Sequence, residues 1–347
     1  MKKNLLRSAL GMALLLGSAQ QGVAQDVRTG SNVNRLGTAA GMWLLVPTTA
    51  QTASFAMSGT AGTNSMSGLD AASQNPANLM LNMGTNAMFS RLNYVADIGV
   101  NTFGVAQRFG RSNVSLSVSS WDLGDEVLRT ESEPDGGEVT WSASNMVAGL
   151  GFARQFTDRI SAGVTAKVAT EALGDDLHGS SVLADAGINY VIPGQGLRFG
   201  VAVRNIGTAM RYGGDGLAFD GIGPDGKAIT GTVDAEQYEL PASLDFGVSY
   251  QRPFSPDVSM TLSTNFRSVQ YANDQVAGAV AINFRNLFYV NGGYRYEPNT
   301  EDAFITGANV GAGLNVPFGR SNVKLDYTYS FTRVLNRMQF ITASVTF

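Results

Sequence analysis

From about Asn86 to Phe347 the sequence falls into segments of about ten residues in which apolar and polar side chains alternate. Val114, Leu116 and Val118 alternate with Ser115 and Ser117, and Val164, Ala166 and Val168 with Thr165 and Lys167. Leu244, Phe246, Val248 and Tyr250 alternate with Asp245 and Ser249. Successive side chains of a strand point to opposite faces, so each segment has one oily and one wet side. Fourteen such segments begin near residues 86, 96, 111, 143, 158, 180, 196, 240, 257, 275, 287, 303, 320 and 337. Their length matches the ~9–11 residues with which a tilted strand crosses a bilayer.

The connections sort by parity. Even-numbered segments are followed by tight links such as "FGRSN", "FTDR" and "PGQG". Most odd-numbered ones lead into longer links, notably 121–141, 171–180 and 206–239, the first link near Val95 being a short exception. Outer-membrane barrels have short periplasmic turns and longer external loops. The pattern predicts an all-β fold: a 14-stranded antiparallel transmembrane β-barrel, with both chain ends on the inner side and outer-membrane lipids as its surroundings. In lipid each unpaired backbone N–H or C=O costs several kcal/mol, and ring closure removes every edge. A soluble β-sandwich or β-helix is the competing arrangement. The last segment, "MQFITASVTF", puts Ile341, Ala343, Val345 and Phe347 on one face.

Residues 1–24 have a basic start (Lys2, Lys3, Arg7), an apolar run and small residues at Gly22-Val23-Ala24, the pattern of a secretory signal peptide. The apolar run falls short of the roughly 20 residues that a spanning helix needs. Without this leader the chain carries 21 basic and 28 acidic residues, which argues against a nucleic-acid partner. No Cys and a single His, His178, leave no thiolate metal site and no convincing nucleophile–base pair. The expectation is a non-enzyme with no catalytic residues, no cofactor and no metal.

If the apolar faces meet lipid, the opposite faces line a lumen. They carry Lys167, Asp185, Arg198, Arg204, Asp245, Arg267, Arg285, Arg295, Lys324 and Asp326 among many Ser, Asn and Gly. Mixed signs allow a cross-linked polar network, or residues that only satisfy one another and water; neither suggests a strongly selective ion pore. The external links are acidic, with Asp122, Asp125, Glu126, Glu131, Glu133, Asp135 and Glu138 in one and Asp175 and Asp176 in the next. They read as a solvated surface, or as a holder of divalent cations or a basic partner. Gly99, Gly104, Gly149 and Gly151 are candidate kink sites in the wall.

Residues 25–85 precede the barrel (86–347) and are predicted to form a plug in its mouth. Small residues permit close backbone approach, Pro76 fixes its own φ, and Asn75 can bond nearby backbone to set a turn. An ordinary turn without a gating role uses the same residues. The stretch "LLVPTTAQTASFAMSGTAGTNSMSGLDAASQNPANL" resembles the N-terminal signature of the PorV/PorQ proteins, relatives of the FadL long-chain fatty-acid transporter; Asn75, Pro76, Ala77 and Leu79 match its end. "FTDRISAGVTAKVATEAL", "NIGTAMRY", "LPASLDFGVSY", "GGYRY" and "LDYTYS" follow in the family's order. The chain departs at Phe55-Ala56-Met57, where the family tends to Gly-Met-Gly, and at Gln74, where an aromatic often precedes Asn-Pro. The resemblance implies a FadL-like barrel with an N-terminal plug or hatch in the outer membrane. It implies either a part in type IX protein secretion, with a translocon or cargo C-terminal domain as partner, or transport of lipophilic small molecules past the plug. A lipid-modifying enzyme is a weaker third reading.

Overall fold

The computed structural model describes residues 38–347 apart from 67, 128, 130–132, 175, 223–226, 298–306 and 333–336. The leader at 1–24, together with Glu131 and Asp175, lies outside the described residues. In chain order the strands are β1 (Thr85–Asn93), β2 (Gly99–Phe109), β3 (Ser112–Val127), β4 (Thr140–Gln155), β5 (Ile160–Leu173), β6 (Leu177–Ile192) and β7 (Leu197–Gly207). Four short ones follow: β8 (Met210–Gly213), β9 (Ala218–Ile222), β10 (Ala228–Thr232) and β11 (Gln237–Tyr238). The second half is β12 (Ser243–Pro253), β13 (Val258–Val269), β14 (Gln275–Phe284), β15 (Phe288–Tyr296), β16 (Gly307–Phe318), β17 (Ser321–Ser330) and β18 (Met338–Thr346).

β1–β7 and β12–β18 form a closed ring of fourteen antiparallel strands. The ring passes from β6 through β7 to β12, and β1 pairs with β18 from Asn86↔Thr346 to Asn93↔Gln339. The alternation has the predicted sense. Leu116, Leu150, Val164, Val182, Ile188 and Phe246 face outward and are exposed, while Ser115, Asp185, Asn189 and Asp245 face inward and are buried. Exposed Phe109, Phe156, Phe254, Phe318 and Phe347 gather at the tight-turn end, an aromatic girdle of the kind that marks a membrane interface.

β3–β6 run to 14–16 residues, longer than a crossing needs. The link expected at 171–180 therefore shrinks, because Glu171–Leu173 belongs to β5 and Leu177–Ser180 to β6. His178 is consequently a strand residue, opposite Ala172 and Gly213. The link at 206–239 holds β8–β11; β8 extends the sheet beside β6, and β9 and β10 form a separate hairpin.

Residues 38–84 fill the lumen. They form helical turns at Met42–Leu45, Ala50–Ser54, Gly68–Ala72 and Pro76–Leu81, joined by irregular chain. Such a segment satisfies little of its own backbone, and buried N–H and C=O groups need partners. The wall's inward hydroxyls and amides supply them. Ala50 N donates to Thr342 Oγ1 (2.9 Å), Thr328 Oγ1 to Ala50 O (2.7 Å), Ser249 Oγ to Gly62 O (2.7 Å) and Asn113 Nδ2 to Leu79 O (2.9 Å). This is why the lumen face is rich in Ser, Thr and Asn.

The expected inner position of the chain's start falls on residues outside the described ones. Both ends of the barrel wall lie at the tight-turn end, where Phe347 N donates to Thr85 O (2.8 Å). The start of the described chain does not. Ala40 N donates to Glu239 O (3.1 Å) and Gly41 N to Glu171 Oε1 (3.1 Å), both at the long-loop end. The plug therefore runs the length of the lumen, from outer mouth to inner turn, before β1 begins.

Candidate functional site

The Asn75–Leu79 turn is clamped to the wall. Asn75 Oδ1 accepts from Ala77 N (3.0 Å), capping the turn that Pro76 opens. Its Nδ2 donates to Thr60 O (2.9 Å) and Asn189 Oδ1 (2.8 Å). Asn189 Nδ2 in turn meets Asn78 Oδ1, and Asn78 Nδ2 donates to Gly59 O and Ala71 O, each at 3.1 Å. Three amides thus tie the plug to itself and to β6. The wall there is glycine. A Cβ at Gly163 would lie 2.6 Å from the Pro76 carbonyl carbon, and one at Gly187 would overlap Asn75 Oδ1 and lie 2.8 Å from its Cγ. Gly163 and Gly187 are direct partners across β5 and β6.

Above this clamp, between plug and wall, lies a cavity of about 140 Å³. Its apolar side presents Trp43, Val46 and Leu69 from the plug and Trp121 and Val147 from the wall. The Trp43 and Trp121 rings are 5.8 Å apart and tilted by 58°, and Tyr94 meets Trp121 edge-on at 5.5 Å. Burial pushes the Tyr94 hydroxyl up to about 12, against the opposing pull of Arg295. Ser115, Ser117 and Ser119, on the same face of β3 as Trp121, line the cavity as well, with Thr102 and Thr165. Lys167, Asp185, Arg204 and Asn205 close one end.

At that end the wall is irregular. Asn205 has φ 57°, and β6–β7 pairing shifts register between Ala184 and Ala186. Arg204 and Asn205 are thereby both buried. Asp185 Oδ1 accepts from Asn205 N (2.8 Å) and pairs with Lys167 Nζ (2.7 Å). The break in the wall beside the cavity is this bulge. Gly99, Gly104, Gly149 and Gly151 all sit in unbroken register.

A second cavity, of about 440 Å³, opens at the tight-turn end beneath Met80, Arg108, Arg159 and Arg198. Leu69, Leu79, Met88, Ala106 and Ala153 form a buried apolar cluster; Leu69 and Met88 line the outer cavity, and Ala77 and Met80, beside Leu79, line the inner one. At the outer mouth, Glu171 accepts from Gly41 N, from Trp43 Nε1 (2.6 Å) and from the Tyr212 hydroxyl.

The predicted lumen residues divide into separate groups. Asp245, fully buried, accepts from Arg204 Nε (3.2 Å) and Arg267 Nε (2.6 Å), with Asn265 Nδ2 and Ser243 Oγ also donating. Lys167 and Asp185 form the pair described above. Lys324 and Asp326 are 3.9 Å apart on β17, where Asp326 also accepts from the Tyr289 hydroxyl. Arg198 stands apart at the inner mouth, bonded to Asn64 Oδ1. Arg285 does not face the lumen; it lies in the tight turn after β14, exposed and paired with Asp257. Among the described residues no three His, Cys, Asp or Glu side chains are placed to hold a metal ion. Sequence reasoning missed Glu171, Trp43, Trp121 and Tyr289. Their only signal was a polar or aromatic residue at an otherwise ordinary strand or plug position.

No family model and no curated protein matches the sequence. Solved structures do match in fold. The CymD monoaromatic hydrocarbon channel aligns over 87% of this chain and 98% of its own, at 14% identity and a TM-score of 0.55. A FadL homologue from Pseudomonas aeruginosa covers the same shares at 12% identity and 0.52. The toluene transporter TodX from Pseudomonas putida aligns over 83% and 95%, at 15% identity and 0.50. The fold is that of these FadL-like barrels. The narrower PorV/PorQ likeness rests on sequence motifs alone.

Proposed function

We propose that this protein is an outer-membrane channel for small hydrophobic molecules. The observation that carries the reading is the outer cavity. It lies between plug and wall and is walled by Trp43, Trp121, Leu69 and Val147, with a second cavity below it on the same side of the lumen. Binding sites for small ligands are concave, largely apolar and furnished with a few placed polar groups. An apolar cavity of about 150 Å³ holds a benzene-sized molecule, and this one is of that order.

The plug's two sides divide the labour. Against β5 and β6 it is seated backbone to glycine and held by the Asn75 amide. Against β1–β4 its backbone is bonded at single points, Asn113 Nδ2 to Leu79 O and Arg108 Nη1 to Met80 O, and between them the side chains of Leu69, Leu79 and Met88 fill the gap and can change rotamer without breaking those bonds. A permeant entering from outside therefore crosses on the Leu79 side. The fold neighbours described as a monoaromatic hydrocarbon channel and a toluene transporter favour this reading over the secretion reading.

The test is accumulation of radiolabelled toluene by cells with the gene deleted, restored, or restored with Leu79→Ala. Restoration should recover uptake, and Leu79→Ala should raise it severalfold. Unchanged uptake on deletion, with loss of a secreted protein from the surface, would replace the channel by a secretion component.

A further inference from the structure

We infer that the outer cavity selects small ring compounds bearing an oxygen anion, aromatic carboxylates above all, over the corresponding hydrocarbons. The inference rests on the channel reading and names its permeant more narrowly. Size sets the first limit. About 140 Å³ accommodates one ring and excludes a long acyl chain lying wholly within it. The tilted Trp43–Trp121 pair gives that ring an aromatic wall.

Polarity sets the second limit. Along β3 the hydroxyl row Ser115, Ser117 and Ser119, spaced by two, shares its face with Trp121 and carries the aromatic wall on into a polar one. A hydrocarbon offers these groups nothing when it displaces their water. At the closed end, Arg204 is 4% exposed. Its Nε serves Asp245 and its Nη1 donates to Ser73 O (3.0 Å), but Nη2 has no acceptor among the described residues. A buried guanidinium N–H without a partner is rare, and a carboxylate oxygen is the acceptor with which a single such N–H makes its strongest, charge-assisted bond.

Charge sets the third. Lys167, Arg204 and Arg267 are positive, whereas Asp185 and Asp245 are negative, and Asp245 is shared by both arginines. The cluster keeps one surplus positive charge beside the cavity. A site that hydrogen-bonds a ligand oxygen can reject the analogue lacking it by factors reaching about 10⁴.

The experiment uses the full protein in nanodiscs of zwitterionic phospholipid, titrated with benzoate, phenol and toluene. Emission of Trp43 and Trp121 is read in a Trp141→Phe background, with calorimetry alongside. Benzoate should bind at least tenfold more tightly than toluene, with phenol between. Arg204→Lys keeps a cation beside Asp245 and removes Nη2; it should weaken benzoate about tenfold and leave toluene unchanged. Ser117→Val touches no ion pair and should shift the benzoate-to-toluene ratio severalfold toward toluene, so it decides the matter if Arg204→Lys does not fold. Toluene binding as tightly as benzoate, or a ratio indifferent to both variants, overturns the selectivity while leaving the channel intact. If no probe registers at all, the channel reading falls with it.

Discussion

Gly187→Ala tests whether the plug is truly seated on the β5–β6 wall. The backbone at Gly187 is of ordinary strand type, so any cost comes from space. The new methyl would lie 2.8 Å from Asn75 Cγ and 3.1 Å from Val201 O, and on top of Asn75 Oδ1. Val201 O belongs to the sheet and cannot retreat, so the Asn75 amide must. Its departure leaves Asn189 Oδ1 and the Ala77 N–H without their partners at 2.8 and 3.0 Å. Two buried polar groups left unmet, at about 1–3 kcal/mol each, amount to about 2–6 kcal/mol. Gly278→Ala is the control, because its nearest atom beyond its chain neighbours is Ser263 O at 3.8 Å, and it should cost under about 0.5 kcal/mol. Urea unfolding in detergent gives the stability difference, and hydrogen exchange over 58–80 shows whether the plug, not the wall, has loosened. If Gly187→Ala matches the control in midpoint and in plug protection, the clamp described here does not exist.

Three further perturbations follow from named contacts. Asp245→Asn leaves Arg204 and Arg267 without their shared carboxylate and should destabilise the barrel by about 3–5 kcal/mol in the same urea assay; a loss below 1 would mean that water reaches the site. Glu171→Ala removes the acceptor for Trp43 Nε1 and Gly41 N, so Trp43 emission should shift to the red and residues 40–45 should exchange faster, with wall strands unaffected. Tyr94 titrates at about 12 in the fold, above its ordinary value of 10, so the protein's stability is intact below pH 10 and falls between pH 10 and 12. The loss should be about 3 kcal/mol, and Tyr94→Phe should flatten that limb.

The wall was legible because lipid on one side and water or plug on the other force a strict period of two. Every predicted strand start falls within four residues of an observed one. The lengths of β3–β6 were not legible. Beyond the membrane both faces of a strand can be polar, so "WDLGDEV" reads like a loop. Asn75-Pro76-Ala77 was recognisable as a turn, but its seat was not, since Gly163 and Gly187 look like glycines anywhere in a Gly-rich chain. Lumen residues were identified by face, which is local, whereas their pairing is set by strand register and stagger. Asp245 and Arg267 are opposite each other in the ladder and 22 positions apart in the chain. Arg285 was misplaced because the strand pattern was carried one residue past Phe284 into a tight turn.

The plug comes first in the chain, and the seam that shuts the ring joins β1 to β18, whose partners lie some 250 positions apart. Synthesis therefore delivers the occupant before its container. An occupant that spans the lumen from end to end and is hydrogen-bonded on several sides cannot be threaded through a finished tube. The wall must wrap around it, so the final strand completes enclosure and ring together, and a polypeptide stalled before β18 would leave an open sheet with its cargo of plug residues uncovered.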